Sequence, residues 1–304
     1  MSTLFPRDTW RAVIMAGGRA KRFHPVSAGV NKHLLPVYDK PMIFYPLTTL
    51  MMGGLRDFLI LSTPEAAPQI QRVLGDGHDW GIDIQYRIQS KPAGIADAFK
   101  VCRSDLEGRK TAMILGDNIF YGHRLPEMVQ AGASLERGAL IYAYEVGDPS
   151  AFGVVEIDSE GRPTDLVEKP VDPVSNLAVP GLYFFDERAV EIAATLEPSA
   201  RGELEITDLN RWYMDQGELQ VERLGRGIAW LDGGTPEALF EATEFIRAIE
   251  ARQGLKAACP EEVALRHGFI DAAGFANAIS GLPDCEYKKY LQKVGARFNP
   301  ADRV

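Results

Sequence analysis

Four short runs of strand-like residues, separated by three helix-like segments, constrain this chain more than any other feature. Ala12-Val13-Ile14-Met15 ends at Gly17-Gly18, and Phe58-Leu59-Ile60-Leu61 and Ala112-Met113-Ile114-Leu115 are equally apolar, while Ile84 to Ile88 alternates. Apolar runs of this length suit strands buried on both faces. Between them, Ile43 to Met52, Pro68 to Leu74 and Gly94 to Cys102 have helical spacing. Strands alternating with helices imply parallel pairing, so the expected class is α/β with a doubly wound sheet.

After about residue 138 the rhythm changes. Leu140 to Tyr144, Val154 to Ile157 and Leu182 to Phe185 are separated by turn clusters, which predicts antiparallel strands added to the sheet. Helices are expected over Arg188 to Leu196 and Ile206 to Gln216, and strands over Leu219 to Leu224 and Ala229 to Leu231. From Pro236 onward the periodicity is helical: a long helix to about Gln253, then Glu261 to Arg266, Ala272 to Ile279 and Glu286 to Gln292, with a frayed tail from Gly295. This reads as a C-terminal helical appendage.

Composition removes several alternatives. The 304 residues are 46% hydrophobic and 25% charged, the balance of a globular chain with a full core. Cys102, Cys259 and Cys285 are an odd count without a C-x-x-C pair, which argues against a disulfide framework or a cysteine zinc site and favours a reducing compartment. Arg7, Asp8 and Arg11 interrupt the N-terminal stretch, so no secretory signal is expected, and no apolar run is long enough for a bilayer. A cytoplasmic location follows from these points. The formal charge of -9 speaks against nucleic acid as a partner, although a local basic pocket can still take a small phosphate.

Such a pocket has a candidate. The first strand runs into Gly17-Gly18-Arg19-Ala20-Lys21-Arg22, where glycines let backbone amides face outward and three cations follow. Its place after the first strand of an α/β sheet favours a ligand, whereas a Gly-Gly pair alone reads as a tight turn. Lys32 precedes an apolar run that can hold its ammonium toward an anion; alone it reads as solvated. Asp117, in Leu115-Gly116-Asp117-Asn118, and Asp232, in Leu231-Asp232-Gly233-Gly234, each end a strand. Separately they read as turn formers, but together they can share one Mg²⁺ and leave its other positions to substrate phosphates. Glu168-Lys169-Pro170 and Ser199-Ala200-Arg201-Gly202-Glu203 place further charges in polar turns. There is no G-x-S-x-G elbow, no H-E-x-x-H and no Walker A loop, and the five histidines are scattered.

The strings Lys32-His33-Leu34-Leu35-Pro36-Val37-Tyr38-Asp39-Lys40-Pro41-Met42, Leu115 to Gly122, Glu168-Lys169-Pro170 and Pro198 to Asp208 closely resemble the glucose-1-phosphate thymidylyltransferase family of sugar-nucleotide pyrophosphorylases. The resemblance runs from about Arg11 to Lys293, in the family's order and spacing, and fits its short form. It implies a Rossmann-like core with a mixed, mostly parallel sheet, spanning residues 1–235. A nucleotide-binding half would cover about 10–138, a sugar-phosphate half about 139–235, and helices of 236–304 would serve oligomer or regulatory contacts. The implied reaction joins dTTP to glucose 1-phosphate, giving dTDP-glucose and pyrophosphate with Mg²⁺ as cofactor. The family is commonly a homotetramer with feedback inhibition by a downstream dTDP-sugar.

Residue by residue, the resemblance matches Asp117 and Asp232 to metal ligands, Arg22 to the triphosphate and Lys32 to the α-phosphate. Glu168, Lys169 and Arg201 match the sugar-phosphate site, with Leu115, Phe152, Gly153 and Val179 around the hexose and Gln89 and Gly94 at the base. Gly17, Gly18, Arg19, Ala20 and Lys21 complete the nucleotide loop. Departures from the family pattern fall at Arg19, Ala20 and Lys21 in that loop, His33 for Gln, Phe152 for Tyr, Ala93 for Asp and Asp97 for Gln. They leave open UTP or another NTP, a modified hexose 1-phosphate, or a weakly active binding homologue.

Overall fold

The apolar runs become the middle of one sheet, and burial on both faces is why they carry no polar alternation. The computed structural model describes residues 9–18, 20–91 and 93–299. Its strands are β1 (Trp10–Ala16), β2 (Pro36–Val37), β3 (Lys40–Pro41), β4 (Asp57–Ser62), β5 (Asp83–Ile88), β6 (Lys110–Leu115), β7 (Asn118–Gly122), β8 (Ala139–Glu145), β9 (Gly153–Ile157), β10 (Pro163–Glu168), β11 (Leu177–Ala178), β12 (Leu182–Phe185), β13 (Leu219–Arg223) and β14 (Ile228–Asp232). Its α-helices are α1 (Phe44–Met52), α2 (Ala67–Leu74), α3 (Asp97–Val101), α4 (Arg103–Leu106), α5 (Leu125–Ala133), α6 (Ala189–Thr195), α7 (Ile206–Asp215), α8 (Pro236–Gln253), α9 (Pro260–Arg266), α10 (Ala272–Ser280) and α11 (Glu286–Arg297).

Among the described residues ten strands form the main sheet, in the order β10-β9-β11-β8-β12-β6-β1-β4-β5 with β13 beside β8. The chain leaves β1 first toward β4 and β5, then returns to its other side as β6. The carboxyl end of β1 is therefore where strand order reverses, the place at which ligands settle in such sheets. Successive residues serve opposite layers. Ile14 and Ile114 pack with Leu47, Leu50 and Val129 of α1 and α5, whereas Val13 and Met113 pack with Phe99, Ile192 and Leu209 of α3, α6 and α7.

The second half adds antiparallel strands as expected: β12 lies antiparallel between β6 and β8, and β9, β10 and β11 continue the pattern. One strand differs, because β13 pairs parallel with β8. The helix expected over 94–102 is shorter. Gly94 has φ 106°, and the first turn forms only from Asp97, because the preceding residues bond to another segment: Leu204 N–H donates to Ala93 O at 2.8 Å and Ala96 N–H to Leu204 O at 3.1 Å. The last helix is longer than expected and continues through Gly295 to Arg297; a Cβ on Gly295 would lie only 3.0 Å from Phe275, so its bare backbone packs on α10.

Beyond the sheet, Thr235 caps α8, its hydroxyl accepting from Ala238 N–H at 3.1 Å. Pro236 follows at the helix start, and Gly254, with φ 68°, ends it. Helix α8 lies on β2 and β14, where Ala242 and Ile246 pack with Val37, Tyr45 and Ile119, and α9 packs on α1. Among the described residues no helix is long and apolar enough to cross a membrane.

Candidate active site

Two carboxylates that are far apart in sequence meet because of one small strand pair. A turn at Gly116-Asp117 separates β6 from β7, and β7 pairs antiparallel with β14 in a register that sets Asp232 opposite Asn118. Gly233 N–H donates to Asp117 O at 2.7 Å, extending the pairing past both acids. Asn118 ties the corner together. Its Oδ1 accepts from Gly181 N–H at 2.9 Å and from the Trp230 indole at 2.7 Å, while its Nδ2 donates to Asp117 Oδ1 at 3.1 Å.

Lys32 reaches the same corner and donates its ammonium to the Asp117 carboxylate, both side chains being 15% exposed. It sits on a 3-10 turn, Lys32–Leu34, capped by Asn31, whose Oδ1 accepts from His33 N–H at 2.9 Å and lies 2.8 Å from His33 Nδ1. Burial, followed by the charge of Lys32, pushes the His33 imidazole down to about 3, so it stands there as a neutral polar group. Gly116 makes room for it, since a Cβ there would lie 2.7 Å from the imidazole and 2.8 Å from Met15 O.

The two acids titrate apart. Burial opposes ionisation of Asp117, but the adjacent Lys32 ammonium holds its carboxyl low, at about 2. Asp232 is pushed up to about 6, by burial first and then by the charge of Asp117, with Lys32, Arg22 and Lys169 pulling it back. A buried pair with this mutual repulsion favours additional positive charge, and oxygen donors suit a hard divalent cation. Among the described residues no group of three or more His, Cys, Asp or Glu is arranged for a metal. Two carboxylates still fit an ion that keeps water and substrate phosphate as its remaining ligands.

Beside the acids opens a cavity of about 420 Å³ that brings together half of the predicted site residues. Arg22, Asp117 and Asp232 lie on its wall, as do Leu115, Phe152, Gly153, Glu168, Lys169 and Val179. Glu168 is oriented from two sides: its Oε2 accepts from Thr207 Oγ1 at 2.5 Å, and Oε1 from Arg201 Nη2 at 3.3 Å. Arg201 is in turn gripped by Glu205, with bonds of 3.1 and 2.8 Å; burial opposes its charge, yet Glu205 keeps the guanidinium pKa raised. Gly153 has no spare room, because a Cβ would come 3.3 Å from both Glu168 Oε2 and Thr207 Oγ1.

Gln89 and Gly94 are grouped separately. Gln89 is buried, donates to Asp97 Oδ2 at 2.8 Å, and turns its carbonyl toward Gly17. Gly94, held against Leu204, links this side to the loop that carries Arg201. Gly18, with φ 92°, and Ala20 line a further cavity of about 320 Å³ with Asn31 and Gln69, while Lys21 is exposed on the short turn Lys21–Phe23. Arg19 lies outside the described residues.

The sequence model of the Nucleotidyl transferase family matches residues 11–249. Similar proteins include the glucose-1-phosphate thymidylyltransferase of Xanthomonas campestris pv. campestris (strain B100), 49% identical over 94% of this chain and 97% of its own. That of Mycobacterium tuberculosis (strain ATCC 25618 / H37Rv) is 50% identical over 93% of this chain and 98% of its own. The chain belongs to the glucose-1-phosphate thymidylyltransferase family. A solved Bacillus anthracis chain assigned to the same enzyme name, in complex with a sucrose, is 36% identical with a TM-score of 0.73, covering 79% of this chain and 96% of its own.

The positions where the sequence resemblance breaks have a physical description in the structure. Ala20 adopts φ 45° and ψ 40°, so its Cβ does not forbid the left-handed turn but strains it, a cost of about 1–2 kcal/mol that glycine avoids. Asp97 takes one amide hydrogen of Gln89. Phe152 packs its ring 4.9 Å from that of Trp230, without a hydroxyl to place. Several cavity residues were not singled out from the sequence. Thr207 and Asn210 sit inside a helical motif, and Tyr183 and Trp230 inside strands, where their types read as core. Asn118 reads from the sequence only as a strand-end amide; the two bonds its oxygen accepts come from partners more than sixty residues away.

Proposed function

We propose that this chain joins dTTP to glucose 1-phosphate, with the nucleotide along the Gly17 to Arg22 loop and the sugar phosphate in the cavity beside Asp117 and Asp232. The observation that carries the reading is the convergence of those two acids with Arg22 and Lys169 on the wall of one cavity, with Lys32 bonded to Asp117. A sugar phosphate oxygen is already anionic. It can form the new bond to the α-phosphorus in line as the α-to-β phosphoryl oxygen bond breaks, with no protein nucleophile and no obligatory general base.

What the protein supplies is position and charge. Lys169 and Arg201 hold the sugar phosphate, and Glu168, fixed by Thr207, orients a sugar hydroxyl. Lys32 faces the α-phosphoryl group, and Arg22 faces the departing pyrophosphate. Gln89 offers an amide donor and acceptor to the base edge, and Gly17 and Gly18 let the backbone approach the triphosphate. Asp117 and Asp232 are the residues that would hold Mg²⁺, which when bound supplies neutralising charge to the phosphoryl oxygens. Residues 1–235 form the catalytic core in this reading, divided near residue 138 into nucleotide and sugar-phosphate halves. The 236–304 helices provide contacts in a homotetramer, and the cytoplasm is where the triphosphate is available.

The test is pyrophosphate release measured across a panel of nucleoside triphosphates and sugar 1-phosphates. The dTTP and glucose 1-phosphate pair is expected to give the highest kcat/KM, with activity lost on chelation and restored by Mg²⁺. A purine triphosphate turning over fastest, or full activity in chelator, overturns the assignment.

A further inference from the structure

Helix α7 presents two polar residues to the cavity, one turn apart. Thr207 has a partner, since its hydroxyl donates to Glu168. Asn210 has none among the described residues: it is 1% exposed, it lines the cavity, and neither its amide nitrogen nor its amide oxygen makes a hydrogen bond. Leu209 and Tyr213 of the same helix are fully buried in the core, so the fold has apolar anchors there already. A buried amide with both groups unpaired destabilises the protein, and leucine would fill a similar volume without that cost.

We propose that Asn210 is a specificity-determining residue that binds a ring hydroxyl of the hexose. Lys169 and Arg201 already provide cations for a phosphate, and Glu168 provides an anionic acceptor. Asn210 adds a neutral donor and acceptor side by side, the complement of a hydroxyl, which also donates and accepts. An amide kept unpaired until a sugar arrives rejects a ligand lacking that hydroxyl, because the ligand would leave the amide buried and unsatisfied. This inference rests on the cavity being the hexose site.

The test uses the full chain, with Asn210→Leu, Asn210→Ala and Glu168→Gln compared in steady-state kinetics and thermal melting. The substrates are dTTP with glucose 1-phosphate and with its 2-, 3-, 4- and 6-deoxy analogues. Asn210→Leu is expected to melt no lower than the wild type, to keep the KM for dTTP, and to lose roughly tenfold in kcat/KM for glucose 1-phosphate. With one of the deoxy analogues the loss disappears, because that analogue lacks the hydroxyl the amide would hold. Asn210→Ala gives the same pattern and serves if the leucine variant does not fold. An equal loss on glucose 1-phosphate and on every analogue, or a parallel rise in the KM for dTTP, overturns the proposal in favour of a structural role. If Glu168→Gln raises the KM for the sugar phosphate while neither Asn210 variant does, the Asn210 inference alone falls. If all three leave that KM unchanged, the reading of the cavity itself falls, and the inference with it.

Discussion

The paired acids and the phosphate loop lie close together, yet they are built in opposite ways. Asp117 and Asp232 sit at the end of a strand pair, backed by the Gly233 bond and by the Asn118 amide. The loop from Gly17 to Arg22 is held by a short 3-10 turn, with Lys21 and Arg22 exposed and Ala20 in a left-handed conformation. By the sequence resemblance both acids fall at matching motif positions, whereas Arg19, Ala20 and Lys21 stand where the resemblance breaks. A corner fixed by strand pairing and by the Asn118 bonds has little freedom; a water-facing loop can vary its charge and conformation while the corner keeps its geometry.

The largest expected effect breaks the corner. Asp117→Asn and Asp232→Asn should each fold and yet lose on the order of 100-fold or more in kcat, since an amide is a neutral and poorer ligand for a hard cation. Circular dichroism and pyrophosphate release on the same preparations check this; near-normal turnover in either variant would remove the acids from the chemistry.

A smaller effect tests whether the loop is impaired. Attraction and alignment oppose each other there, because added charge is screened within ~10 Å at 0.1 M salt whereas a phosphate misplaced by about 1 Å can cost on the order of 100-fold in rate. Arg19→Ser, Ala20→Gly and Lys21→Thr together should therefore raise kcat by roughly tenfold and weaken the salt dependence of nucleotide binding. Initial rates at two ionic strengths measure both; loss of all activity would mean that Arg19 or Lys21 makes a direct catalytic contact.

The base side should discriminate least. If Gln89 reads the edge shared by thymine and uracil, as proposed, the preference for dTTP over UTP should rest on one methyl group, worth about 1 kcal/mol or roughly fivefold. Competition assays with both nucleotides give the ratio directly. The smallest effect belongs to Ala20→Gly alone, which relieves a left-handed alanine and should stabilise the fold by less than about 1–2 kcal/mol, because glycine also loosens the unfolded chain. Denaturant melts would show it, and a destabilised variant would mean that the Ala20 methyl has a packing role.

The strands of the first half were legible because each is buried on both faces, and Asp117 was legible as the polar end of such a run. The meeting of Asp117 with Asp232 was not, since it depends on β7 and β14 pairing across more than a hundred residues; the family resemblance, not periodicity, joined them. Local spacing also overextended the helix at Gly94, where bonds to Leu204 replace helical ones. Asn210 was invisible for a different reason. An amide inside an amphipathic helix looks solvated until its burial and its missing partners are known.

The Asn118 amide also sets an order of events during synthesis. Its oxygen waits for an indole 112 residues later, carried by the strand that ends in the second acid. A nascent chain can complete the parallel half of the sheet from residues 10 to 115 while still on the ribosome, yet the corner stays open until β14 has emerged. A product truncated before that point has neither the indole nor Asp232. The corner that sets the two acids together is therefore completed only after translation has passed β14.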